Sequence, residues 1–165
     1  MSAAMPLGLS SFPVLSIITW SPFVGALLIM FLARRNAVLV RWLAVVSTAV
    51  SLILSIVVYV AYDREAAGFQ FYEDVPVVPP LGINYQLGID GMSLLMVLLT
   101  SIIIFAGAWA SWTVKVRSQE FYALLLVLVT GVYGVFVSLD LFVLFLFYEI
   151  AVLPMYLLIG STAIS

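Results

Sequence analysis

The sequence contains no cysteine and no histidine, and only 8% of its 165 residues are charged. Without these two residue types the chain cannot form disulfides or the zinc, haem and iron–sulfur sites that use cysteine or histidine ligands. Nucleophilic catalysis by Ser–His or Cys–His pairs is excluded for the same reason. The net charge of −2, without a basic cluster or a glycine-rich phosphate loop, gives no indication of nucleic-acid or nucleotide binding.

Apolar residues dominate what is present: 65% of the chain is hydrophobic and its mean hydropathy is +1.28, whereas soluble domains are about 25% charged. The apolar runs lack the alternation of a membrane barrel, so we expect helices. The sequence predicts an all-α, polytopic fold, a single transmembrane domain over residues 1–165. Its five predicted spans are 14–33, 42–62, 91–112, 121–139 and 141–160.

The distribution of basic residues predicts the orientation, because short cytoplasmic connections are enriched in Lys and Arg. The first connection holds Arg34, Arg35 and Arg41, and the third holds Lys115 and Arg117. The second, at 63–90, has one Arg against five carboxylates, and the fourth has only Asp140. We therefore expect the N-terminus outside, the 63–90 segment as a periplasmic loop, and the end of the chain inside.

The 63–90 loop is the only sizeable extramembrane segment predicted. Pro76, Pro79 and Pro80 should prevent helix there. Residues 82–88 alternate weakly in polarity and predict a short strand or one arm of a hairpin. Asp90 and Asp140 precede apolar runs and are predicted N-caps of the third and fifth helices. Trp20 lies inside the first span and does not fit an interfacial aromatic belt.

Glu149 is the most informative residue. Between Phe121 and Gly160 the only charged residues are Asp140 and Glu149. Forty helical residues would rise roughly 60 Å, twice a hydrocarbon core of about 30 Å, so the chain must turn back near Ser138–Asp140. Glu149 then lies about 13 Å down the fifth helix, near the bilayer midplane. An ionisable residue at that depth indicates ion or proton transfer.

The surroundings of Glu149 in the sequence support this interpretation. Pro154 lacks an N–H, so it frees the carbonyl of Ile150 and can kink the helix, which gives water a place to bind. No Lys or Arg is predicted at membrane depth, so the partner of Glu149 is water or a group elsewhere. Packing is favoured over proton transfer for five hydroxyl residues near this region: Thr130, Tyr133, Ser138, Tyr148 and Tyr156. For Asp140, capping is favoured over proton entry.

Several segments resemble the M-type (chain 4) proton-translocating subunit of respiratory complex I. They are SLDL (138–141), FLFYE (145–149), LPMYLLIG (153–160) and LGIDGMSL (87–94), with FQF (69–71) and GINY (82–85) in the loop. The resemblance extends over the whole chain. The family continues with further helices after the fifth span, so we expect this chain to be an N-terminal portion or a split product.

The resemblance implies a function. Glu149 would be the fifth-helix glutamate of a Glu–Lys pair whose lysine lies on a later helix. The chain would be a membrane-arm subunit of a proton-pumping NADH-quinone oxidoreductase, with no redox centre of its own. NADH, quinone, flavin and iron–sulfur clusters would belong to other subunits. The partners would be other membrane-arm subunits and the lipid bilayer, and the location the cell inner membrane or its organellar equivalent.

Two alternatives remain open. The chain could be a subunit of a multisubunit cation/proton antiporter from the same superfamily, in which the same glutamate exchanges protons for cations. The run Leu153–Tyr156 favours complex I. The other alternative is a truncated, non-pumping membrane scaffold, in which Glu149 has no transport role.

Overall fold

The computed structural model describes residues 13–32, 35–65, 68–113 and 118–163. Within them the elements follow in the order α1 (Val14–Leu32), α2 (Ala37–Ala61), β1 (Gln70–Val78), β2 (Ile83–Ile89), α3 (Gly91–Ala110), α4 (Ser118–Val137) and α5 (Leu141–Ala163). All five helices are long and apolar enough to cross a membrane, which confirms the predicted helical transmembrane fold. Arg34, Lys115 and Arg117, used to predict the orientation, lie outside the described residues.

Side-chain caps set three of the helix starts. Asp90 Oδ1 accepts from the Ser93 N–H at 2.8 Å, and Asp140 Oδ1 accepts from the Phe142 N–H at 2.9 Å, so both predicted N-caps are confirmed. A third cap was not predicted: Asn36 Oδ1 accepts from the N–H groups of Val38 and Leu39. For this reason α2 begins at Ala37, five residues before the predicted start.

The loop between α2 and α3 is an antiparallel hairpin of β1 and β2. The predicted strand at 82–88 is confirmed as β2, whereas β1 was not expected. A three-residue 3-10 turn, Pro79–Leu81, joins the strands, so the expectation that these prolines exclude all helix was wrong in this detail. Proline is accepted at the start of a helical turn because its missing N–H is not needed there.

The hairpin is fastened to both α1 and the α4–α5 turn. Glu73 accepts from the Ser16 hydroxyl and from the Ser16 N–H at 3.4 Å in the first turn of α1, where a carboxylate is favoured by the helix dipole. On its other edge, Gln86 O accepts from the Leu139 N–H at 2.9 Å. The second and fourth connections therefore share one end of the bundle, as the predicted topology requires.

Helix α1 packs between α2 and α4, and α2 also packs on α3. One core cluster joins Leu15 and Ile18 of α1 to Val129 and Tyr133 of α4. A second, towards the other end, joins α1 to the start of α4 through residues that include Ile29 and Tyr122. Helix α5 lies at the edge of the bundle and packs mainly on α4, so one side of α5 is left without neighbours from the described residues.

Candidate functional site

Two glycines of α4 determine how closely α5 approaches. A β-carbon at Gly131 would overlap the backbone of Ala151, and one at Gly134 would overlap the ring of Phe147. Small residues at such positions let membrane helices approach to van der Waals contact of their backbones. The packed side of α5 is therefore fixed: it carries Val143, Phe147 and Pro154, which are buried.

Glu149 lies on the opposite side of α5. It follows Phe147 by two residues, which places it roughly 200° around the helix axis. Its neighbours on that face are Phe145, Val152 and Tyr156, and Phe145 and Tyr156 are 59% and 75% exposed. Glu149 itself is partly exposed. The carboxylate thus points away from the four other helices of the described structure, which the sequence did not predict.

No described residue pairs with Glu149. Within residues 13–32, 35–65, 68–113 and 118–163, no hydrogen bond or ion pair involves its carboxylate, and the only lysine of the chain, Lys115, belongs to the α3–α4 connection. Two turns further along the same face, Tyr156 lines an open groove of about 800 Å³ between the ends of α1, α4 and α5.

Pro22 and Pro154 free one helical carbonyl each, with different outcomes. In α1, the carbonyl of Ile18 accepts from the hydroxyls of Ser21 at 3.3 Å and Ser51 at 3.4 Å. In α5, no side chain of the described residues donates to the carbonyl of Ile150. Pro154 and the carbonyl that it frees belong to the packed side of α5, whereas Glu149 lies on the opposite side. Helix α5 nevertheless remains continuous through Pro154.

Three of the five hydroxyl residues noted in the sequence make their hydrogen bonds away from Glu149. Tyr133 bonds to Ser101 at 2.7 Å, Thr130 donates to the carbonyl of Leu126, and Ser138 donates to the carbonyl of Asp140. Tyr148 and Tyr156 are exposed on α5. The bonds of Tyr133, Thr130 and Ser138 are those expected of packing groups, whereas for the exposed Tyr148 and Tyr156 the packing role stays a prediction.

A buried hydroxyl network, missed from the sequence, joins four helices in the bundle interior. Ser51 contacts Ser21 at 2.8 Å, and Ser55 contacts Ser101 at 2.7 Å. Tyr133 bonds to Ser101, and Ser55 also donates to the carbonyl of Ser51 at 2.7 Å. The signal was the four-residue spacing of Ser47, Ser51 and Ser55, which places them on one face of α2. This network does not reach Glu149.

A polar cluster at the hairpin explains why Trp20 can lie inside the first span. Its Nε1–H donates to the Tyr85 hydroxyl at 3.0 Å, and that hydroxyl lies 3.2 Å from Ser16 Oγ. Burial raises the pKa of Tyr85.

At the α3 cap, the N–H of Ser93 lowers the pKa of Asp90, because it stabilises the ionised carboxylate. Tyr85 and Asp90 both stabilise the hairpin end of the bundle, and both are more than 55 residues before Glu149 in the sequence.

No group of three or more His, Cys, Asp or Glu side chains within the described residues is arranged to hold a metal ion. The candidate site is a single carboxylate, Glu149, on the side of α5 that faces away from the other four helices of the described residues. Such a group can bind and release a proton or pair with a cation that approaches from outside this helix bundle.

The chain is similar to chain 4 of NAD(P)H-quinone oxidoreductase from Thermosynechococcus vestitus, with 38% identity over 150 residues, 90% of this chain. It is 36% identical over 154 residues, 89% of this chain, to subunit M of NADH-quinone oxidoreductase from Rhodobacter capsulatus. The chain is therefore a homologue of the chain 4 and subunit M family of NAD(P)H-quinone oxidoreductases, and it corresponds to the N-terminal part of those proteins. The resemblance drawn from the sequence motifs and the predicted membrane location are thereby confirmed.

The match covers 28% and 29% of those two relatives, so the chain spans less than a third of their length. A chloroplast chain 4 from Chaetosphaeridium globosum is 34% identical over 92% of this chain and matches over 30% of its own length. No protein-family model matches the chain.

A solved structure has the same fold. In the membrane-bound sulfane sulfur reductase, an archaeal respiratory membrane complex, one chain superimposes with a TM-score of 0.74 at 24% identity. The match covers 87% of this chain and 22% of that chain. The fold of most of this chain is therefore shared with a chain of a respiratory membrane complex.

Proposed function

We propose that this chain forms part of a membrane-arm subunit of a proton-pumping NAD(P)H-quinone oxidoreductase. The observation that carries the proposal is the identity of about 35% to chain 4 and subunit M over most of the chain. Its partners would be the other membrane-arm subunits, and the nicotinamide, quinone, flavin and iron–sulfur clusters would be bound by other chains.

Glu149 would be the proton-carrying group. An isolated carboxylate in an apolar helix costs at least a few kcal/mol to bury, so its presence calls for a role. Desolvation favours the protonated form, and an approaching ammonium or guanidinium group favours the ionised form. A cation that moves towards and away from Glu149 would therefore make it release and take up a proton. The open face of α5 leaves room for that cation to come from protein outside the described residues.

The test uses the organism's own membranes. Vesicles from a strain that lacks the gene should lose proton pumping driven by NADH oxidation, and re-expression should restore it. An affinity-tagged copy should purify with subunits that oxidise NADH and reduce quinone. A strain that keeps full NADH-driven pumping but loses tolerance to sodium would instead support the antiporter alternative, and one unchanged in both would support the scaffold.

The proposal includes an orientation, with the hairpin on the periplasmic side. Its support is that the acidic second and fourth connections meet at one end of the bundle. A cysteine introduced at Val75, which is 54% exposed in β1, should react with an impermeant thiol reagent in intact cells, and the natural sequence, which has no cysteine, provides the blank. Reaction only in inverted vesicles would reverse the topology.

A further inference from the structure

Three of the four tryptophans and one arginine meet at the end of the bundle away from the hairpin. Trp109 and Trp112 are stacked at 5.3 Å between ring centroids. Trp42 contacts Trp112 edge-on at 5.5 Å. The guanidinium of Arg41 lies over the Trp112 ring, 5.9 Å from its centroid. These four residues join the start of α2 to the end of α3, and we refer to them as the Arg–Trp cluster.

The cluster is accessible from outside the bundle. Trp42 is 50% exposed and Trp109 is 46% exposed, while Arg41 is partly exposed. Indole rings are favoured at the level of the lipid headgroups, because one part of the ring is apolar and its N–H needs a polar partner. We therefore expect the Arg–Trp cluster at the depth of the lipid headgroup phosphates.

Charge is strongly divided between the two ends. Five of the six basic residues of the sequence belong to this end or its connections, and Glu120 is the only carboxylate that does. The hairpin end has six carboxylates and Arg64. By sequence position, the connections that adjoin the Arg–Trp cluster are therefore mainly basic and the hairpin end is mainly acidic, a division that favours an anion at the cluster.

We propose that the Arg–Trp cluster binds the headgroup of an anionic phospholipid. The cation–π contact with Trp112 restricts the Arg41 guanidinium, so less side-chain entropy is lost when it donates to phosphate oxygens. The neighbouring indoles supply apolar surface for the glycerol and upper acyl region, and their N–H groups can donate to ester or phosphate oxygens. Basic sites between transmembrane helices are suited to acidic headgroups.

The hairpin end offers a matched control. Arg64 lies over the ring of Tyr59, 5.5 Å from its centroid, and donates to the Tyr59 hydroxyl at 3.1 Å. This is also an arginine on an aromatic ring, but it lies between Asp63 and Glu65 in the sequence, and its ring partner is a tyrosine instead of a tryptophan. Replacing Arg64 changes the net charge by the same amount as replacing Arg41, without touching the proposed site.

The experiment measures tryptophan fluorescence of the full chain in lipid nanodiscs. A Trp20→Phe background removes the only tryptophan at the hairpin end, so that all emission comes from the Arg–Trp cluster. Phosphatidylglycerol and phosphatidylcholine, each brominated near the headgroup, are compared as quenchers. Because a basic residue near the surface contributes about 1 kcal/mol towards an anionic lipid, half-quenching should need about fivefold less phosphatidylglycerol.

Adding Arg41→Gln to this background should remove the preference for phosphatidylglycerol, whereas Arg64→Gln should leave it unchanged. Arg41→Lys keeps the positive charge but lacks the planar guanidinium, so it should retain part of the preference for phosphatidylglycerol. Equal quenching by the two lipids in the Trp20→Phe protein would overturn the proposal without any need for an Arg41 variant to fold. A preference that survives Arg41→Gln would also overturn it. If neither lipid quenched the fluorescence, protein would cover the Arg–Trp cluster, and this result would also overturn the proposal.

Discussion

Replacing Glu149 by Gln is expected to abolish most proton pumping while the protein still assembles with its partners. Glutamine has nearly the same shape and can form hydrogen bonds on the open face of α5, but it cannot take up and release a proton. Positioned acid–base groups contribute about 100-fold or more to proton-transfer rates, so we expect at least about a tenfold loss in NADH-driven pumping. The measurement is the initial rate of acidification of sealed vesicles per NADH oxidised.

Two further variants make the Glu149 test specific. Glu149→Asp keeps a titratable group but shortens it by one methylene, so it should retain more pumping than Glu149→Gln. Glu65→Gln makes the same chemical change at an exposed loop position and should pump normally. A Glu149→Gln protein with an unaltered ratio of protons to electrons would disprove the assigned role, even if its overall rate were reduced.

Replacing Gly131 by Val is expected to cause the largest loss of stability. The valine β-carbon would overlap the Ala151 backbone, which cannot move aside as a flexible side chain would. The two helices must separate, and the Phe147 ring then loses its contact with Gly134. Overpacking typically costs 1–3 kcal/mol, and a backbone obstacle favours the upper end, about 3 kcal/mol. Thermal unfolding of the detergent-solubilised protein should show a midpoint several degrees lower.

Gly107 supplies the control for Gly131. It lies in α3, and no atom comes within 4 Å of a β-carbon placed there. Gly107→Ala should be neutral or stabilising by about 0.5–1 kcal/mol, because alanine loses less backbone entropy in a helix. If both substitutions changed the midpoint equally, the loss would reflect glycine replacement in general and the close α4–α5 contact would not be the cause.

The five helices and two of their three side-chain caps could be predicted from the sequence because the signals are local, whereas the Asn36 cap of α2 was missed. Each span is a long apolar run, and Asp90 and Asp140 are short polar residues immediately before such a run. Strand β1 could not be predicted in this way. Its residues include Glu73, Asp74 and Pro76, which disfavour strand, and it forms because β2 provides antiparallel hydrogen bonds.

The sequence singled out Glu149 as the candidate site residue, but the direction in which its side chain points could not be predicted. Helix α5 is apolar on all sides, so Phe145 and Phe147 are equivalent by residue type, although only Phe147 is buried. The packed side is chosen by Gly131 and Gly134 on another helix. The hydroxyl network was missed for a similar reason: Ser51 and Ser101 each have carbonyls of their own helix within reach, and only the packing brings their hydroxyls to other helices.

The packing of α1 on α4 has a consequence for synthesis of the protein. About 100 residues separate the end of α1 from the end of α4, so a ribosome adding 5–20 residues per second makes α4 available roughly 5–20 s later. Until then, the side of α1 that α4 will cover faces lipid or an insertion factor. The Thr19 hydroxyl, buried in the finished bundle, bonds to the carbonyl of Leu15 in its own helix. The nascent α1 helix can therefore remain in the bilayer before α4 is made, because the Thr19 hydroxyl has its hydrogen-bond acceptor within the same helix.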